Sequence, residues 1–319
     1  MKRALLSGRG LWWVACPLLL CVGVAFIQLQ LLERDSGLDT ALNWVTRCAW
    51  LGQDWPGYRS RLLGIATIEL LGGNVRAFLT VTFVSLFFGG TLAWYLGGAG
   101  GFGVYNAAFA LVAWPWFAPW DMFRPVFFTA FVIFAVELRP WWWFVLLFAL
   151  AIVDHQSAMY MGLFMVLQGG LTGRRALLFA GFSCLLMGFA YMWLMQHTDW
   201  RYFGFSTQSF GYHTDYADTH FSENLHHLFG EGAYVPCIYG VIMLTIATVM
   251  VRGQLALGLT FAALLASLTV VGILSETRVY LTFLPLLVLA ASPPASAPPQ
   301  QSALLDSSRE ATESMVAEL

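Results

Sequence analysis

The feature that most constrains this chain is the recurrence of long apolar runs separated by short polar breaks. Such runs lie near residues 11–32, 77–97, 102–118, 123–138, 140–153, 157–169, 176–195, 233–251, 254–273 and 279–291. In hydrocarbon no water satisfies backbone N–H and C=O groups, so runs of this kind close their hydrogen bonds internally as helices. The expected fold is therefore all-α integral membrane, with about ten transmembrane helices. Composition bears this out: only 11% of the 319 residues are charged, against roughly 25% in a soluble domain. So few charges cannot build a water-facing surface. The net charge of −2 argues against a nucleic-acid partner held through its phosphates. Membrane lipid is the surrounding the chain is built for.

Basic residues set the expected orientation. Lys2, Arg3 and Arg9 precede the first run, whose length of about twenty residues fits an uncleaved signal anchor better than a signal peptide. Threading the runs puts Arg174, Arg175 and Arg252 on the same side as that N-terminus, and this side is expected to be cytoplasmic. Residues 1–291 then form one polytopic domain, with outer loops at 33–76 and 196–232. The tail 292–319 is rich in Pro, Ala, Ser and Gln without apolar period, and is expected to be a disordered cytoplasmic segment.

Within the first outer loop, Leu38, Leu42, Val45, Ala49 and Trp50 recur at helical spacing, and Arg59 to Leu71 reads as a second amphipathic segment. Both are expected to lie as interfacial helices on the outer leaflet. Asp154, His155 and Gln156 alone separate the fifth run from the sixth, which suggests a helical hairpin dipping from the surface. Gly97 to Gly103 reads best as a tight cytoplasmic turn; the alternative, a phosphate cradle, lacks support, since the stretch follows no predicted strand and carries no Lys-Ser/Thr. Cys16, Cys21, Cys48, Cys184 and Cys237 show no paired spacing, and imply neither a zinc site nor a disulfide framework.

Polar residues gather at the outer ends of the runs in four places: Asp54 to Arg61, Asp121 to Pro125, Asp154-His155-Gln156, and Glu276-Thr-Arg278. At a hydrocarbon boundary a charge costs less than at the midplane, yet still needs a partner or solvent. Taken singly, each is an interfacial anchor or an interhelical ion pair. Taken together, acids and arginines from four separated stretches would have to meet on one side. That arrangement suits an anionic, lipid-linked substrate, because an arginine fork grips a phosphate while a nearby carboxylate takes a proton from an attacking hydroxyl.

Tyr58-Arg59-Ser-Arg61-Leu-Leu, the polar span end Asp154-His155-Gln156, and Glu276-Thr-Arg278-Val-Tyr-Leu-Thr-Phe-Leu-Pro285 together resemble bacterial multi-span proteins related to the C-type (GT-C) glycosyltransferases. The resemblance implies a bacterial inner (plasma) membrane and a sugar donor linked to a polyprenyl phosphate. It implies a catalytic base in the first outer loop, which would be Asp54, with Asp35 and Asp39 as competitors; Asp154 and Glu276 are the further catalytic candidates. Arg59, Arg61 and Arg278 would hold phosphate, and Arg124 and His155 join them as substrate-binding candidates. The chain departs from the pattern in having no adjacent acid pair in its first loop, and the expected disorder of residues 292–319 departs from the soluble C-terminal domain that the resemblance implies.

The second outer loop holds His197, His213, His220, His226 and His227 with interleaved acids. His213, Asp215 and His220 would make a shell for a divalent metal such as zinc or manganese, although their spacing follows no standard motif. Trp200, Tyr202, Phe203, Phe205, Phe210, Tyr212 and Tyr216 suit either stacking on sugar faces or anchoring at headgroup level. The function expected is thus transfer of a sugar from a lipid-linked donor in cell-surface glycan synthesis, or a related polymerase or ligase reaction. A transporter or flippase would instead line its midplane with ionisable groups and break its helices in two matching halves, neither of which is evident here. A non-catalytic assembly protein would carry the same charges for structure alone.

Overall fold

The computed structural model describes residues 19–23, 26, 62–112, 123–197, 221–230, 234–272, 274 and 277–292. Among these residues there is no strand and almost everything is helical, as the hydrocarbon argument requires. The helices are α1 (Leu62–Leu70), α2 (Val75–Val112), α3 (Phe123–Val136), α4 (Trp141–Asp154), α5 (Met159–Thr172), α6 (Arg175–His197), α7 (Phe221–Phe229), α8 (Tyr234–Val251), α9 (Leu255–Val271) and α10 (Leu284–Ala291). Three of them, α2, α6 and α8, are long and apolar enough to cross a membrane. The apolar helices α3 and α4 have 14 residues each and so reach only about 21 Å, short of a hydrocarbon core about 30 Å thick.

Helix α2 is folded on itself. At Gly98 the backbone takes φ 63° and ψ −155°, a combination open essentially only to glycine. The chain reverses there: Gly89 lies against Tyr105, Gly90 against Phe102 and Asn106, and Gly101 against the Ala93 carbonyl. The glycine-rich stretch is therefore the turn of a helical hairpin. A second hairpin joins α5 to α6 through Gly173, and there Gly181 approaches so closely that a Cβ would stand 2.6 Å from the Val166 nitrogen. Lipid offers no hydrophobic drive between helices, so backbone approach of this kind supplies the packing.

A knot of aromatic rings ties the centre together. Phe131 of α3 meets Phe164 of α5 edge-on at 5.1 Å, Phe128 meets Phe261 of α9 at 6.0 Å, and Phe261 meets Phe283 at 5.6 Å. The outside is apolar too: Phe179, Phe182, Leu186, Phe189 and Trp193 form an exposed stripe along α6. A stripe of that size on the surface of a helix is what lipid contact calls for.

The segment read as amphipathic between Arg59 and Leu71 contains α1, whose nine residues, LLGIATIEL, are apolar on most sides and pack against α2 and α4. At about 13 Å it is too short to cross a bilayer by itself. The expected helix near 38–51 lies outside the described residues, as do most of 11–32 and the tail beyond Ser292.

The turns sort to two ends. At one, Arg252 donates to the carbonyls of Leu289 and Ser292 at 2.9 and 2.8 Å, and Gly97 abuts Ser292. Tyr95, at the same end, hydrogen-bonds Glu137, which pairs with Arg139 at 2.6 Å. Ring contacts Phe134–Trp143 and Phe144–Phe164 show that α3, α4 and α5 alternate in direction, which brings Arg174 and Arg175 to this end as well. The opposite end carries Arg124, Asp154, α7 and the hydrogen bond from Tyr234 to the Leu111 carbonyl.

Candidate functional site

Antiparallel packing of α3 on α4 places the first turn of one beside the last turn of the other. Arg124 follows Phe123 at the start of α3, and Asp154 ends α4. Both are buried, at 5% and 0% exposure. They line one recess with His155, Ser157, Phe127, Phe128, Ala151 and Ala158, a seam too tight to admit a water molecule.

Their positions oppose the helix dipoles. The N-terminal end of a helix is positive and disfavours arginine, while the C-terminal end is negative and disfavours aspartate, by about 0.3–1 kcal/mol each. Burial adds a desolvation cost of several kcal/mol per ion unless opposite charge lies near. The fold thus brings two charges, each at a helix end that disfavours it, to the lining of one recess.

The helix stops at His155 because the backbone there is extended, at φ −159° and ψ 140°. The imidazole Nδ1 accepts the Ser157 backbone N–H at 3.0 Å and lies 2.9 Å from Ser157 Oγ, capping the 3-10 turn Gln156–Ala158. An accepting Nδ1 leaves the ring proton on Nε2, which makes the far side of the ring a donor. The recess thus brings a carboxylate, an imidazole and a hydroxyl from one turn of backbone together with a cation from the neighbouring helix.

Of the residues singled out from the sequence, Arg124, Asp154 and His155 come together here. Arg278 belongs to the 3-10 segment Thr277–Phe283, which packs against α3, the helix that carries Arg124. Asp35, Asp39, Asp54, Arg59, Arg61, Glu276, His213, Asp215 and His220 lie outside the described residues. Among the described residues no group of three or more His, Cys, Asp or Glu is placed to hold a metal ion.

Two residues escaped the sequence reading. Ser157 joins the recess through His155, and its adjacency to Asp154-His155-Gln156 was the available signal. Asn224 is fully buried on α7. Its amide donates to the carbonyls of Thr269 at 2.9 Å and Gly272 at 2.6 Å, and its Oδ1 accepts from the Leu274 N–H at 2.9 Å. Asn224 shares the stripe of Leu225 and Leu228 on α7, so the legible signal was a polar residue where the helical period asks for an apolar one.

At the opposite end Glu137 and Arg139 are solvent-facing, with side chains 25% and 47% exposed. The hydrogen bond from Tyr95 and, behind it, the Arg139 guanidinium hold the Glu137 carboxyl below its ordinary value. Comparison with known protein families, characterised proteins and solved structures finds no match to this chain.

Proposed function

We propose that this chain is a membrane enzyme of the C-type glycosyltransferase kind, crossing the bilayer ten times and working on a polyprenyl-phosphate-linked sugar at its extracytoplasmic face. The observation that carries the reading is the burial of Arg124 and Asp154 in one recess at helix ends that electrostatically disfavour them. The arginine-bearing turns mark the other end as cytoplasmic by the positive-inside rule, which turns the recess outward. The shorter helices complete their crossings with the polar residues that flank them, tilted or locally thinning the bilayer.

In this reading Arg124 and the positive start of α3 hold the donor phosphate, joined by Arg59, Arg61 and Arg278. Asp154, or Asp54 from the first loop, takes the proton of the acceptor hydroxyl as that oxygen attacks the anomeric carbon and the polyprenyl phosphate departs. His155 donates from Nε2 to an oxygen of the substrate. The seam must widen to admit a ligand, so opening of the recess belongs to the catalytic cycle.

The test uses the full chain in lipid nanodiscs with a radiolabelled polyprenyl phosphate. Arg124→Gln is expected to weaken binding about ten- to a hundredfold, the worth of one charge-assisted hydrogen bond or two, while leaving binding of the uncharged polyprenol alone. Because Arg124→Gln leaves a buried carboxylate, the double variant Arg124→Gln/Asp154→Asn, neutral on both walls, is measured beside it. Equal binding of polyprenyl phosphate by wild type and both variants overturns the reading.

A further inference from the structure

Asn224 belongs to a short helix in the second outer loop, yet its hydrogen bonds reach residues 45 to 50 positions away. Three facts define what it does. From α7 it packs against the last turn of α9, where the final carbonyls of a helix have no partner within the helix; its amide donates to those of Thr269 and Gly272. Its Oδ1 fixes Leu274, the first described residue after α9 and Gly272. The Leu274 carbonyl in turn accepts from the buried Tyr280 hydroxyl at 3.1 Å, within the segment Thr277–Phe283 that packs on α3.

We infer that Asn224 is a positioning residue: it latches α7 onto the end of α9 and, through Leu274 and Tyr280, sets the segment Thr277–Phe283 against the helix that bears Arg124. One side chain therefore couples the second outer loop to the recess. No apolar residue substitutes, because the site needs donor and acceptor at once, and no carboxylate does, because it would face carbonyl oxygens. This inference rests on the reading of the recess as a phosphate-lipid site, but its first readout is independent of that reading.

Asn224→Ala in the full chain in nanodiscs is followed by amide hydrogen exchange and by polyprenyl phosphate binding. Exchange across residues 274–283 is expected to accelerate at least about tenfold, and binding to weaken about tenfold, as a lost buried hydrogen-bond pair implies. Arg252→Ala is the matched control. It strips hydrogen bonds from Leu289 and Ser292 at the C-terminal end of α10, on the far side of the bundle from Asn224, and should lower the melting temperature while leaving binding unchanged. Asn224→Asp keeps the shape and, once protonated, one donor; its binding should recover as the pH falls from about 8 to about 5.

Faster exchange with unaltered binding overturns the positioning role, and so does unaltered exchange. A control that weakens binding as much as Asn224→Ala overturns it too. Failure of the wild-type chain to bind polyprenyl phosphate sinks the reading of the recess, and the positioning role with it, while exchange then still reports whether the latch exists.

Discussion

The two ends of the helix bundle treat charge in opposite ways. At the arginine-bearing end Glu137 and Arg139 sit two residues apart in one turn, facing solvent, and Arg252 caps a neighbouring helix. At the other end Arg124 and Asp154 are buried and come from helices a tight turn apart, and Asn224 is buried between α7 and the end of α9. Solvated charges at a boundary are inexpensive and need no further reason than orientation. Buried ones carry a desolvation cost that the surrounding structure must compensate.

The contrast is broken most directly at the recess. Asp154→Ala alone strands the Arg124 guanidinium, and is expected to destabilise the folded chain by about 3–5 kcal/mol, whereas Arg124→Met/Asp154→Leu together should cost much less. Thermal unfolding in detergent reads both; equal losses from the single and double variants would show that the two charges do not compensate one another. Next in size is the hairpin turn: Gly98→Ala forces a Cβ into the φ 63°, ψ −155° conformation, and should cost about 1–3 kcal/mol by the same measurement.

The smallest effect is expected at the solvated end. Glu137→Gln removes a surface pair worth less than about 1 kcal/mol, and the loss should fade in high salt. Its pH dependence has a definite sign. The carboxyl is held below its ordinary value of 4.5, so its contribution is complete above that value and disappears as the pH falls through the lowered folded value. Wild type and Glu137→Gln should therefore differ in melting temperature at neutral pH and converge in acid. A Glu137→Gln effect as large as that of Asp154→Ala would erase the distinction between the two ends.

Much of the architecture was legible because hydrocarbon imposes a simple rule on backbone hydrogen bonds. The apolar run 123–138 became Phe123–Val136, 140–153 became Trp141–Asp154, and 233–251 became Tyr234–Val251. The turn at Gly97 was readable since few residues but glycine reverse a helix so tightly. Helix length was less legible: a run of apolar residues shows where a helix lies, and only folding showed α3 and α4 ending at 14 residues. Arg124 and Asp154 could be picked out as charges at run ends, but their common burial depends on which helices pack side by side. Asn224 was missed because its partners lie some fifty residues downstream, and no local pattern encodes that distance.

By itself the sequence determined an all-helical, membrane-suited chain and the sorting of its arginine-bearing turns to one end, since both follow from the free energy of placing apolar and charged groups along a single dimension. Tertiary structure alone decided which charges are buried together and which side chain closes the end of α9. Those outcomes depend on close packing between helices distant in the chain, where an ångström of approach settles whether a hydrogen bond exists.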